Sequence, residues 1–547
     1  MSSQHAATPQ STADAVRMVA EAIAACEYRH ASEIADAALA QGFVDTSLYN
    51  ARALWLERQG QNEDALTEFQ RARALAPRSF AILNAIGLCL MRLQRLDEAT
   101  AAFDEAIRIN PAYSPSHQRR GVVLGMCGRA REAEDAYRRA VSLDPRNAEA
   151  LANLATVSAR NGNHDSAQRN AERALAIDPQ NATAHAALAL VEMSRRQFVA
   201  AESRLRPLVS DPKLMGHGRA VVLNLLGDAL DEQGRCAEAF AAFDLAHQEL
   251  RGIHSPRFEG KPTMSGMLER LSGWFGETPA EAWRPSDNGN AVQPARLHVF
   301  LLGFYRSGTT LLEQVLESHP EVATLEEQDF LAEAAERFLT SAEGFDRLLQ
   351  LEAAELEQAR ANYWEQVGGL GIRSDGKVFI DKHPLNTAKL PLIRKFFPAA
   401  KVLFAIRDPR DVVLSCVRRH FEINAVMHEF LTLEGTAKLY DRVMGFADIC
   451  RQKLPLDLFE HRYEDLVSDF DGQVRAVCDF LGLEFSESMA NFSETTRGSD
   501  IRSPSVQQVR RGLYKESVGQ WRRYHDQLSP VLPVLAPWVH RFGYEDG

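Results

Sequence analysis

Leu297 to His319 reads LHVFLLGFYRSGTTLLEQVLESH, and the reading of this stretch decides the fold of the C-terminal half. Its apolar run, Val299 to Gly303, suits one buried strand bounded by glycine. A polar turn follows, Tyr305-Arg306-Ser307-Gly308-Thr309-Thr310, after which Leu311, Leu312, Val315 and Leu316 recur at helical spacing. Strand, glycine-bearing turn and helix together aim backbone N–H groups and the positive end of a helix dipole at an anion. Gly303 and Gly308 keep the spacing of a Walker phosphate loop, but Thr309 stands where that loop has its lysine. That lysine serves the β- and γ-phosphates of a nucleoside triphosphate, so its loss argues against an ATPase, a GTPase or a P-loop kinase. Arg306, a fork of donors inside the loop, suits a single charged phosphate instead. The bland alternative is a strand, turn and helix without a ligand.

The rest of the chain sets bounds on that reading. At 547 residues it is too long for one core, and two to four domains are expected. With 45% hydrophobic and 25% charged residues, a packed core is expected throughout. A net charge of −12 argues against nucleic acid as the main partner. The seven cysteines contain no Cys-x-x-Cys pair, which fits neither a zinc site nor a disulfide framework and points to a reducing compartment. The N-terminal stretch MSSQHAATPQSTADA is unlike a secretory signal, and no apolar run approaches the roughly 18 residues of a membrane span. A cytoplasmic protein with no membrane span is expected.

The first half repeats itself. Ala31, Ala65, Ala99, Ala133, Ala167 and Ala201 are spaced by 34 residues, and Ala38, Ala72, Ala106, Ala140 and Ala174 hold the same step. So do Pro77, Pro111, Pro145 and Pro179, with Gly87, Gly121, Ala53 and Ala155 and the aromatics Phe69, Phe103 and Tyr137 between them. Small residues let two helices approach, the aromatic fills their core, and proline stops the second helix. This stretch, residues 12–247, resembles the tetratricopeptide family, with about seven repeats once the offset copy at Gly227, Ala239, Phe243 and Ala246 is included. The resemblance implies an α-solenoid whose concave face meets a partner. Asn50, Asn84, Arg119, Arg120 and Asn153 are candidate concave positions, although most exposed polar residues are merely solvated. Residues 248–296, rich in Pro, Gly, Ser and Asn, read as a linker with one short helix, Met267 to Phe275, packed in part against one or both neighbours.

In residues 297–547 further apolar runs end in polar clusters. Val378–Ile380 precedes Asp381-Lys382-His383-Pro384, Lys401–Ile406 precedes Arg407-Asp408-Pro409-Arg410-Asp411, and Leu456–Phe459 precedes His461-Arg462-Tyr463. Strands interleaved with helices imply a parallel α/β sheet with its ligands beyond the carboxyl ends of the strands. The overall expectation is α plus α/β, a helical solenoid followed by a P-loop-like domain.

The elements YRSGTTLL and IRDPRDVVLS resemble the two nucleotide-binding elements of sulfotransferases that use 3′-phosphoadenosine 5′-phosphosulfate (PAPS). HPEVATLEE and Lys382-His383-Pro384 resemble the tyrosylprotein type most. Tyr305 departs from the proline usual in such loops. The resemblance implies that Arg306, Ser307, Gly308, Thr309 and Thr310 hold the 5′-phosphosulfate, that Arg407 and Ser415 hold the 3′-phosphate, and that Tyr463 approaches the adenine. Arg419, one turn beyond Ser415, would share its helical face. Ser505, Arg510 and Arg511 match a loop that folds over the cofactor, a solvated basic patch being the alternative for the two arginines.

Sulfuryl transfer, like phosphoryl transfer, develops charge on the leaving oxygen, and cationic donors can then act where ATP chemistry uses Mg²⁺. No metal is expected. By resemblance Lys382 would stabilise that oxygen and Glu327 would take the acceptor's proton, with Glu326 and His383 as rival bases. The expected function is a PAPS-dependent sulfotransferase acting on a hydroxyl, with a tyrosyl protein or peptide slightly favoured over saccharides and small phenols. The array would recruit the acceptor or pair protomers. A scaffold whose nucleotide-binding domain has lost catalysis is the alternative, and such a scaffold needs neither Lys382 nor Glu327.

Overall fold

The computed structural model describes residues 9–284, 293–419, 421, 423–492 and 517–545. The chain divides into two compact units, residues 1–196 and 197–547. In the first, the 34-residue step becomes a solenoid of near-equal helices, from Thr12–Ala24 through Phe80–Arg92 and Leu96–Ile109 to Ala182–Ser194. The alanine registers are its seams: Ala31, Ala65, Ala99, Ala133 and Ala167 are fully buried, as are Ala38, Ala72, Ala106, Ala140 and Ala174. A Cβ on Gly87 would stand only 2.6 Å from the Phe103 ring, so the aromatic occupies space that a side chain would otherwise take. Helices end at Leu75, Ile109, Leu143 and Ile177, just ahead of the four periodic prolines.

A further register appears only in the backbone. Positions 26, 60, 94, 128, 162 and 196 all have positive φ, although Cys26, Gln94 and Arg196 are not glycine. Left-handed backbone there costs a side-chain-bearing residue roughly 1–2 kcal/mol, which packing of the repeat outweighs. Two of the polar positions expected on the concave face are spent within the solenoid instead. Asn84 is buried and donates to Ser116 Oγ at 2.8 Å, and Arg120 pairs with Asp104.

The second unit holds, among the described residues, a parallel five-stranded sheet ordered β2-β3-β1-β4-β5. Its strands are β1 (Leu297–Leu302), β2 (Val322–Glu326), β3 (Val378–Lys382), β4 (Lys401–Ile406) and β5 (Asp457–Arg462). Phe300 and Leu302 of β1 enter one core with Phe379, Val402 and Phe404. Val299 and Leu301 enter the other with Leu312, Val315, Ile380 and Leu403. Burial on both faces is why these strands read as continuous apolar runs.

Several local expectations change. Strand β2, inside HPEVATLEE, was not expected as a strand, because a short edge segment with three carboxylates shows no clear alternation. Strand β3 runs on to include Asp381 and Lys382, and β5 runs on to Arg462. The stretch beyond 247 is more helical than expected: helix Cys236–Phe258 runs into it, and the expected short helix is longer, Met264–Glu277. Tertiary contacts override the local Pro and Ser signals. Ser255 Oγ lies 3.0 Å from His428 Nε2, and Leu268, Leu271 and Phe275 are fully buried in the sheet domain's core. The helices from Phe198 to Phe258 accordingly belong to the second compact unit, residues 197–547. No described helix is long and apolar enough to cross a membrane.

One polar group sits inside this core. Tyr363 donates its hydroxyl hydrogen to Asp381 Oδ2 at 2.7 Å and lies 3.2 Å from His298 Nε2. Burial pushes the Asp381 carboxyl up to about 7 and the His298 imidazole down to about 3. Because the folded Asp381 value lies above its unfolded one, its stabilising contribution is complete below about pH 4 and is lost as pH rises through about 7. Wild type is therefore expected to lose on the order of 2–3 kcal/mol between pH 5 and 8 through this residue. Asp381→Asn should remove that component in urea titrations; an equally pH-sensitive variant would refute it.

Candidate active site

The loop after β1 is shaped by what lies above it. Gly308 caps helix Thr309–Glu317 with φ 90, and a Cβ there would meet the Tyr463 ring at 2.5 Å. Glycine thus satisfies both the left-handed turn and the close approach. Arg306 takes φ 68 without being glycine, a backbone strain of the kind that gathers at functional sites. Ser307, Thr309 and Thr310 are all buried, and Ser307 Oγ has no hydrogen-bond partner among the described residues. Tyr305 anchors the loop by its ring, which lies 6.2 Å from Phe421 and 5.8 Å from Phe430.

The two expected phosphate elements converge. Arg306 Nε donates to Ser415 Oγ at 2.9 Å. Arg407 Nη1 donates to the Arg306 carbonyl at 3.1 Å, and its Nη2 donates to the Ser517 carbonyl at 2.6 Å. Arg407 also lies over the Tyr463 ring, and the Tyr463 hydroxyl is 2.6 Å from Ser517 Oγ. Arg419 belongs to the same group, but not through a shared helical face: the helix ends at Val417, and Arg419 follows in a turn closed by its N–H to the Cys416 carbonyl. Burial, with Arg419 and Arg407 nearby, pushes the Arg306 guanidinium down to about 9. Gathered cations, together with a buried Arg407 Nε and a Ser307 hydroxyl that have no partner among the described residues, fit an anionic ligand with more than one phosphate-like group. Asp411 closes the far side, accepting from the Gly519 and Trp521 amides at 2.6 and 2.8 Å.

At the ends of β2 and β3 the charge is reversed. Lys382 is wholly buried, with its Nζ 2.8 Å from Glu327 Oε1, 3.1 Å from Glu313 Oε2 and 3.7 Å from Glu326 Oε1. Burial alone would lower the ammonium's pKa, but Glu313, Glu327 and Glu326 together hold it above its ordinary value. Burial raises the Glu313 carboxyl well above the usual carboxylate range, with Lys382 opposing. Glu327 has φ 46 and donates its N–H to the Lys382 carbonyl at 2.8 Å, so a left-handed step after β2 turns its side chain back on the lysine. Side-chain exposure distinguishes the three acids: 27% for Glu327, 19% for Glu326 and none for Glu313. Glu327 is the most exposed of the three. His383 is partly buried, and burial lowers its pKa.

Glu313, Asp411 and Ser517 were not singled out from the sequence. The available signal for Glu313 was a lone acid in the apolar run LLEQVL, where helical spacing alone does not say that every face is buried. Ser505, Arg510 and Arg511 lie outside the described residues.

The buried ion pair makes a stability prediction. Lys382→Met leaves Glu313 without its counter-charge and should cost on the order of 3 kcal/mol at pH 8, less at pH 5 where Glu313 can take up a proton. Adding Glu313→Gln should recover most of the loss. Chemical denaturation of the single and double variants would test this, and simple additivity would count against a coupled pair.

Residues 298–487 match a model described as Sulfotransferase family. Residues 50–114, 136–169 and 155–206 match models described as Tetratricopeptide repeat. An uncharacterized protein from Aquifex aeolicus is 27% identical over 49% of this chain and 35% of its own length. This chain thus spans about a third of that relative. Protein-tyrosine sulfotransferase A from Caenorhabditis elegans is 24% identical over 48% of this chain and 70% of its own. Omega-hydroxy-beta-dihydromenaquinone-9 sulfotransferase Stf3 from Mycobacterium bovis is 32% identical over 20% of this chain and 29% of its own. The chain joins tetratricopeptide repeats to a domain of the sulfotransferase family.

Proposed function

We propose that this protein transfers a sulfuryl group from PAPS to an acceptor hydroxyl. The observation that carries the reading is the meeting of a cationic pocket, Arg306, Arg407, Arg419 and Ser415, with an adjoining lysine–carboxylate pair, Lys382 and Glu327. When bound, the donor supplies a sulfuryl group whose leaving group is already a phosphate. The first-turn N–H groups of helix Thr309–Glu317 and Arg306 bind its 5′ end. Arg407, Arg419 and Ser415 bind the 3′-phosphate. Lys382 Nζ keeps positive charge beside the oxygen that receives the electron pair of the breaking S–O bond. A carboxylate oxygen of Glu327 accepts the acceptor's proton as the new S–O bond forms. Glu313 and Glu326 keep Lys382 protonated and in place. Lysine takes the role that a metal has in ATP chemistry, so activity is expected to survive EDTA.

A protein acceptor, tyrosine included, is the favoured class, on the likeness to a protein-tyrosine sulfotransferase and on the repeats, which suit peptide recruitment. The likeness to a menaquinone-modifying enzyme keeps a small hydroxylated acceptor as the second class. The scaffold reading draws on the three carboxylates around Lys382, which also suit a purely structural ion pair.

Two measurements separate these readings. Adenosine 3′,5′-bisphosphate should bind at least about tenfold tighter than AMP by calorimetry, since the extra phosphate meets charged donors; equal affinities would remove the PAPS reading. Labelled donor incubated with host lysate identifies an acceptor for kinetics. Glu327→Ala should then cut turnover about 10²–10⁴-fold, with a smaller defect for acceptors of low pKa such as nitrophenols. Lys382→Ala, in variants that stay folded, should lower kcat about 10²–10³-fold with every acceptor. A Glu327→Ala defect of equal size for every acceptor would turn attention to His383.

A further inference from the structure

The helix Gly216–Glu232 carries the repeat pattern at Gly227, yet its last turn reaches the shell of the phosphate pocket. Asp231 is 4% exposed. Its Oδ1 accepts from the Tyr524 hydroxyl at 2.7 Å and pairs with Arg523 Nη2 at 3.0 Å, and its Oδ2 pairs with Arg418. The Asp231 carbonyl also accepts from Arg523 Nη2 at 2.7 Å. One residue of the helix therefore holds two segments far apart in sequence.

Both segments lead directly into the pocket. Arg418 caps the helix that carries Ser415 and is followed by Arg419. Its guanidinium lies 6.0 Å from the Phe243 ring and 5.6 Å from the Tyr524 ring, and Asn224 Nδ2 approaches its carbonyl at 3.4 Å. Arg523 and Tyr524 close the segment that begins at Ser517, whose carbonyl takes Arg407 and whose hydroxyl meets Tyr463. A carboxylate buried among two guanidinium groups and a phenol is costly unless every partner stays in place, so the three pieces are fixed as a set.

We infer that Asp231 is a positioning residue for the 3′-phosphate end of the pocket, and that the last repeat is an integral part of the nucleotide site rather than an appended binding module. This rests on the nucleotide reading proposed above. Asp231 does not touch the ligand; it sets Arg418, and hence Arg419, together with the Ser517–Tyr524 segment. A fragment beginning after residue 258 would lack this brace.

The test uses the full chain and calorimetric titration with adenosine 3′,5′-bisphosphate and with AMP. Asp231→Asn should weaken the bisphosphate about tenfold, a typical coupling between linked sites, while AMP affinity stays within about twofold. A direct charge effect has the opposite sign, since removing a negative charge near the pocket tightens an anion. Tighter bisphosphate binding, unchanged selectivity, or equal weakening of both ligands would each overturn the inference. Wild type without a preference for the bisphosphate would remove the nucleotide reading, and this inference with it. Should Asp231→Asn lack a cooperative thermal transition, Arg418→Gln, which leaves Asp231 held by Arg523 and Tyr524, is judged by the same selectivity ratio.

Discussion

A single buried ammonium imposes most of the constraints on the chemical end of this molecule. Lys382 ends the strand next to β1 with no solvent contact, and an unpaired cation there would be far too costly to keep. Three glutamates from two elements, the end of β2 with the residue after it and the helix after the phosphate loop, converge on it. The pairing fixes the register of β2 against β3, in which Glu326 stands opposite Lys382. It also fixes the helix Thr309–Glu317, whose N-terminus forms the loop. A charge that the chemistry would use is thus also a joint between sheet, loop and helix.

The cationic pocket beside it has the complementary problem. Arg306, Arg407 and Arg419 are brought together from three segments, and Arg407 donates to backbone carbonyls. Backbone oxygens carry only partial charge, so this arrangement leaves positive potential for an anion to claim. An anionic donor and a neutral hydroxyl would then be sorted by charge: one meets arginines, the other meets Glu327. The left-handed residues Arg306 and Glu327 stand one in each half, and their strain is held by the surrounding packing.

Much of this was legible in the chain itself. The 34-residue registers of alanine, aromatic and proline determined the solenoid, because the alanines and aromatics pack neighbouring helices and the prolines end them, so that each recurs with the repeat. The apolar run, the Gly308 turn and the helical leucines determined the strand–loop–helix, and the polar clusters after apolar runs marked the carboxyl ends of β3, β4 and β5. These features are local, or periodic, and periodicity survives without coordinates.

What only the tertiary structure decided depends on residues distant in sequence. Glu313 looked like an ordinary helical acid until Lys382 arrived from β3, and Arg306 meets Ser415 only because β1 and β4 are neighbours in the sheet. The stretch after the repeats holds more structure than its composition suggests, for the same reason. Composition marked the residues past 247 as a linker, whereas Asp231, Ser255 and Leu268 bind the last repeat helices and their extension to the sheet domain. Composition reports what a segment prefers alone; burial and ion pairing across the fold decide what it does.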